Sequence, residues 1–143
     1  MACVTGEIPR TTSFERGLIH NRIYKDNRWQ PDPLIIDERA LVFNVKDKGL
    51  VVISGCAHAG IINTIRCAQH ITGIAKVYAV LGGFHLAGKE FEKRIDPTVK
   101  ELRKIDLQLI VPSHCTGYRA LYAINEVLTD AFVYNSVGNQ YFL

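Results

Sequence analysis

Three histidines occupy positions from which metal chemistry could be built. They are His58 in "SGCAHAG", His85 in "GGFHL" and His114 in "PSHCTG". Each follows an apolar run of the kind that makes a buried strand: "LVVI", "VYAVL" and "LQLIV". Successive members are 27 and 29 residues apart, close to the length of one strand–helix repeat. Open α/β sheets bind their ligands beyond the carboxyl ends of the strands. Three imidazoles delivered to one such edge are donors suited to zinc or iron. Any single one of them reads more readily as a packing residue, whereas the set of three reads as metal-binding. His20 and His70 lack this context and read as surface or packing residues.

Cys56 stands two residues before His58, so in an extended segment the two share a face and both could reach a metal. The alternative is a small buried apolar residue. Cys115 beside His114 raises a Cys–His nucleophilic dyad, although adjacent side chains usually diverge and no third orienting group is evident. Gly60 and the pair Thr116-Gly117 each lie between a histidine and a helix start. Their backbone N–H groups either hold a phosphate or carboxylate beside a metal, or simply make tight strand-to-helix turns. There is no G-x-x-x-x-G-K-[ST] motif, which excludes a nucleotide P-loop.

The elements that must position these residues begin near residue 40. Before it, "NRIYKDNRWQPDPLIIDERA" carries a tryptophan, two prolines and mixed charges, and reads as turns and short strands. After it, "ALVFNV" and "GLVVISG" flank "KDK", a hairpin closed near Gly49. The first helix is expected from Ile61 to about Ile71, with Ile61, Ile65 and Ala68 on its core face. The second is expected to begin near Asp96, with Asp96 as N-cap and Pro97 as the first helical residue. The third spans about Tyr118 to Leu128, with Leu121, Ile124, Val127 and Leu128 as its stripe. The C-terminal "AFVYNSVGNQYFL" is long enough for a final strand, with Gly138-Asn139 as a turn or break. The fold class is α/β.

A chain of 143 residues is the size of one domain. With 48% apolar residues it can build a core. The net charge of +3 is dispersed, and the densest basic stretch, "GKEFEKR", is interrupted by glutamates, so no nucleic-acid partner is expected. No apolar run approaches the ~20 residues of a membrane span, so no membrane partner is expected either. Four cysteines without a C-x-x-C, after a polar N-terminus, read as reduced thiols in a cytoplasmic protein.

Taken together, "TGEIPRTTSFERG", "SGCAHAGIINT", "GGFHL" and "PSHCTG", in this order and spacing, resemble the C-terminal half of a metallo-β-lactamase-fold hydrolase. The likeness is to the dihydropterin ribofuranosylaminobenzene 5′-phosphate synthase-like branch, and it covers nearly the whole chain. It implies half of a four-layer αβ/βα sandwich, with metals at one edge. By resemblance, His58 completes the shell of a first metal and His114 serves a second. His85 stands nearest the place of the usual bridging aspartate, where "LGGFHL" offers no carboxylate. The superfamily's H-x-H-x-D-H loop is missing from the sequence.

The resemblance therefore implies one partial domain over 1–143, with an irregular lead-in over 1–40 and a hairpin plus repeated strand–helix units over 41–143. It implies a metal-dependent hydrolase contributing part of a di-metal site, active when complemented by the missing N-terminal half. The cofactor is a divalent metal, zinc first, with iron or manganese as alternatives. Metal-activated water would attack a phosphoryl, acyl or cyclic centre, and Thr116 and Gly117 would orient an anionic group of a small phosphorylated substrate. An uncovered apolar sheet face would favour self-association or a second polypeptide. The competing reading is a non-catalytic half-domain acting through protein association.

Overall fold

The computed structural model describes residues 1–143. In chain order the strands are β1 (Ala2–Val4), β2 (Arg22–Lys25), β3 (Arg28–Pro31), β4 (Ala40–Val45), β5 (Gly49–Ser54), β6 (Val77–Gly83) and β7 (Leu109–Ser113). The α-helices are α1 (Ile61–Thr72), α2 (Ile95–Leu102) and α3 (Tyr118–Val127). Five strands make one mixed sheet in the order β1-β4-β5-β6-β7, while β2 and β3 form a separate hairpin. The β1–β4 and β4–β5 pairs are antiparallel, and β5–β6 and β6–β7 are parallel. Parallel neighbours require a crossover, and α1 and α2 provide the two that this sheet needs.

The β4–β5 hairpin closes where the sequence places it, through Asp47 and Gly49 at φ 62° and 116°. In the lead-in, β2 and β3 join through Asp26-Asn27, both left-handed, as a two-residue hairpin turn demands. Helix α1 buries Ile61, Ile65 and Ala68 as expected, and Ile62 with them. It ends on Gly73, whose left-handed conformation brings its N–H to the Gln69 carbonyl.

Three expectations need correction. Helix α2 starts at Ile95 and continues directly from a 3-10 turn at Glu92–Arg94, so Asp96 and Pro97 lie inside its first turn and Asp96 is not the N-cap. Pro97 is tolerated there because the first turn's N–H groups have no helical acceptor. In α3 the buried residues are Ala120 and Ile124, and Val127 is exposed. The C-terminal segment contributes one parallel bridge, Phe132 to Ile110, and no strand follows it.

Val42, Val52, Val80 and Ile110 are in register across four strands and face the helices, joining Ile61, Ile65, Leu102 and Ile124 in the main core. The alternate rows, Leu41–Ile53–Leu81–Val111 and Phe43–Val51–Ala79–Leu109, point to the other side. That side is open toward its β1–β4 edge, where Val4 is 55%, Leu41 46% and Phe43 36% exposed. No helix is long and apolar enough to cross a membrane.

Candidate metal centre

The loop carrying His58 is held from the N-terminal lead-in. Arg10 Nη1 donates to the His58 carbonyl at 2.8 Å. The N–H groups of Thr11 and Thr12 donate to Asn63 Oδ1 at 2.9 and 3.0 Å, tying the lead-in to α1. The buried Glu15 carboxylate accepts the N–H groups of Ile62 and Asn63 at 3.0 and 2.9 Å and the Thr12 hydroxyl at 3.2 Å. It supplies the anion that the N-terminus of α1 favours. Burial nonetheless raises its pKa above the ordinary carboxylate value, outweighing these hydrogen bonds. Gly60, at φ 97°, lets this happen: a Cβ there would fall 2.1 Å from Glu15 Cδ. The carboxylate that the Gly60 turn can hold is therefore the chain's own.

Glu38 clamps the same loop from the other side. Its carboxylate accepts the N–H groups of His58, at 2.6 Å, and of Ala59, and its Oε1 lies 3.3 Å from His58 Nδ1. An imidazole whose Nδ1–H is held by a carboxylate presents Nε2 as a lone pair, the usual arrangement behind a metal-binding histidine. Ala57 just before it is left-handed at φ 53°.

His85 is left-handed too, at φ 47°, a conformation costly for a non-glycine residue. Its ring packs edge-to-face between His58, at 4.8 Å between centroids, and Phe91, at 4.6 Å. Its Nδ1 is buried without a hydrogen-bond partner. Burial first, then the neighbouring His58, Arg94 and His114, push its pKa down to about 4, so the ring is neutral near pH 7.

His114 opens a short 3-10 turn, His114–Thr116, after β7. Its Nδ1 lies 3.3 Å from Ser113 Oγ and its Nε2 lies 3.1 Å from Cys56 Sγ. Cys115 Sγ accepts the His85 N–H at 3.3 Å and reaches the Cys56 carbonyl at 3.5 Å. Burial raises the Cys115 thiol to about 11. Gly83 makes room for this convergence, since a Cβ there would lie 2.6 Å from both Cys115 Sγ and His114 Cε1. Thr116 is fully buried and its hydroxyl accepts the Phe84 N–H at 3.2 Å, while Gly117, at φ 80°, packs on Ala87.

The strand ends thus bring His58 to His85, and His114 to the two cysteines. The set of three donors within 4.8 Å of one another is Cys56, His114 and Cys115. The cysteine that pairs with His114 is Cys56 and not its neighbour Cys115. Sequence reasoning missed Glu15, Glu38 and Arg10, which act over 20 to 48 residues and belong to no periodic pattern. The signal that could have found Arg10 and Glu15 is "TGEIPRTTSFERG" itself, polar and irregular yet part of the resemblance, whereas Glu38 lies outside it. Imidazole and thiol donors, an orphaned buried nitrogen on His85 and the close approach of His114 and Cys115 that Gly83 permits together fit a divalent cation of the zinc and iron class.

No family model matches the sequence. The chain is 42% identical over 115 residues to the 7,8-dihydropterin-6-methyl-4-(β-D-ribofuranosyl)-aminobenzene-5′-phosphate synthase of Methanocaldococcus jannaschii, covering 80% of this chain and 36% of that protein. An uncharacterized protein of the same organism is 32% identical over 94% of this chain and 47% of its own length. Among solved structures, a metal-dependent hydrolase of the β-lactamase superfamily superposes with a TM-score of 0.76 at 29% identity, over 85% of this chain and 46% of the other. The chain therefore has the α/β fold of the metallo-β-lactamase superfamily, and spans about half or less of the length of the relatives it matches.

Proposed function

We propose that this chain contributes His58, His85 and His114 to the divalent-metal site of a hydrolase-type enzyme, with the remaining ligands supplied from outside these 143 residues. The observation that carries the reading is His85: its ring is packed on His58 and its Nδ1 is buried without a partner. An isolated buried polar atom is costly, and a bound ion in reach of both rings removes that cost. Zinc is the first choice on donor type, with iron or manganese as alternatives. A divalent cation in this place supplies Lewis acidity and an activated water.

The chain's own part is positional. Glu38 and Arg10 fix the His58 loop, Ser113 orients His114, and the Thr116-Gly117 turn at the start of α3 is the place for an anionic group of the substrate. The archaeal relative's name contains a 5′-phosphate and a dihydropterin, which favours a small phosphorylated substrate here as well. The chain forms a partial domain, completed by a further α/β half on the same or another polypeptide. The uncovered rows around Leu41 and Phe43 are the surface that half would cover.

The test is metal content by mass spectrometry, on the purified chain loaded with zinc and desalted. His58→Ala and His114→Ala are each expected to lower occupancy of the metal position that the residue serves at least about tenfold, as loss of a direct ligand exceeds the loss seen for its supporting partners. Wild-type chain that retains no zinc, both alone and co-expressed with a polypeptide supplying the missing half, would overturn the reading in favour of a non-catalytic module.

A further inference from the structure

Cys56 and Cys115 are left without a role by the three-histidine reading, yet they are placed as if for one. We propose that Cys56, Cys115 and His114 form a thiolate-bearing metal position of their own, beside the His58–His85 pair, which selects a soft divalent ion such as Zn²⁺ or Cd²⁺ over Mg²⁺ or Mn²⁺. This deepens the metal-site reading above and rests on it.

The geometry supports it on three counts. First, a tetrahedral zinc with ordinary bond lengths holds a sulfur and a nitrogen about 3.6 Å apart and two sulfurs about 3.8 Å apart. Here Cys56 Sγ and His114 Nε2 are 3.1 Å apart, and all three donor atoms lie within 4.8 Å of one another. Second, the outer partners are already in place. Ser113 Oγ is positioned to take the His114 Nδ1–H, leaving Nε2 to face Cys56, and the His85 N–H points at Cys115 Sγ. Third, the space is reserved by sequence: Gly83 has no Cβ where one would strike Cys115 Sγ and His114.

The three donors come from two strand ends, Cys56 after β5 and His114-Cys115 after β7, so the ion would also clasp the two strands that flank β6. Three protein donors leave a fourth position open, as in zinc sites that do chemistry. Binding displaces the two thiol protons to solvent, so it is favoured by rising pH. Hard ions prefer oxygen donors and gain nothing from sulfur.

The experiment is titration of the reduced full chain with Co²⁺, followed by absorption spectroscopy. The expected result is a sulfur-to-cobalt charge-transfer band in the near ultraviolet together with strong tetrahedral bands in the visible. Cys56→Ser and Cys115→Ser should each lower the charge-transfer band to about half, since one of two thiolates remains. His58→Ala should leave that band in place. An independent readout on the unaltered chain is alkylation followed by peptide mass spectrometry. Zn²⁺ should slow modification of Cys56 and Cys115 at least about tenfold relative to Cys3. Cobalt bound without a sulfur band, or alkylation unaffected by zinc, would overturn the thiolate position and leave the imidazole reading standing. No cobalt bound at all would also overturn the thiolate position, and the imidazole reading would then be decided by the zinc content of the chain with its completing half.

Discussion

Replacing Glu38 by glutamine separates what this carboxylate does for the loop from what it does for the metal. Glu38 is 9% exposed at its side chain and engages three groups: the His58 N–H, the Ala59 N–H and His58 Nδ1. A glutamine keeps one acceptor oxygen and turns an NH2 group toward the other partners. One backbone N–H is then left without an acceptor, which costs about 1–3 kcal/mol. The Nδ1–H of His58 loses its anchor as well, and the loss of such a supporting group lowers metal affinity about 10–100-fold, or about 1.4–2.8 kcal/mol. Two measurements separate the effects. Urea unfolding of the metal-free chain reads the first as a lower midpoint with an unchanged slope. Competition for zinc against a chromogenic chelator reads the second. A lower midpoint with unchanged zinc affinity would refute the reasoning, because it would make Glu38 a loop clamp and remove His58 from the site.

Glu15→Gln should destabilise the fold by about 1–3 kcal/mol, as one N–H at the start of α1 loses its acceptor. Burial raises the folded-state pKa of Glu15 above its ordinary 4.5, so the unfolded chain releases this proton first. The wild-type carboxyl therefore contributes stability that is full below pH 4.5 and is lost as pH rises through the folded value. The deficit of the glutamine variant should shrink over that window in urea unfolding, and a deficit growing with pH would mean that the helix N–H groups outweigh burial. Gly83→Ala places a methyl 2.6 Å from Cys115 Sγ and His114 Cε1, so cobalt or zinc binding should fall at least about tenfold, with little change at His58. Equal metal affinity would refute the role of Gly83 in bringing Cys115 and His114 together. Leu41→Asp with Phe43→Asp changes side chains that are more than half covered and should cost about 1–2 kcal/mol per site, while sharply weakening association with any completing half in sedimentation.

The α/β class, the hairpin at Gly49 and the helix positions were legible because each rests on a local pattern: apolar runs of strand length, glycine at a turn, spacing of three and four in Ile61, Ile65 and Ala68. The start of α2 near Asp96 was legible to within one residue, but its cap was not, because the 3-10 turn Glu92–Arg94 runs straight into the helix and leaves Asp96-Pro97 inside its first turn. The histidines were legible as strand-end residues. Which donors meet was not, because that depends on side-chain direction at turns where Ala57 and His85 take left-handed conformations that no spacing rule anticipates. Glu15 and Glu38 escaped for a related reason: an acid buried by a distant helix N-terminus looks, in sequence, like any surface acid.

The open sheet face and the proposed completion of the ligand set from outside the chain bear on one another energetically. Fully burying a large apolar side chain contributes about 1.5–3 kcal/mol. Val4, Leu41 and Phe43 are 55%, 46% and 36% exposed, so covering them adds the equivalent of little more than one such residue. That falls well short of the about 8 kcal/mol of a micromolar complex, before the cost of association is met. The apolar face alone therefore does not hold a separate half in place. A metal shared between this chain's histidines and ligands on the other half adds its own binding free energy to the joint, by linkage. Association should accordingly depend on metal: the chain and the unmatched portion of its 42%-identical archaeal relative, co-expressed and zinc-loaded, should co-elute and then separate on chelation. Co-elution that survives complete metal removal would refute this coupling and show that the surface contacts suffice by themselves.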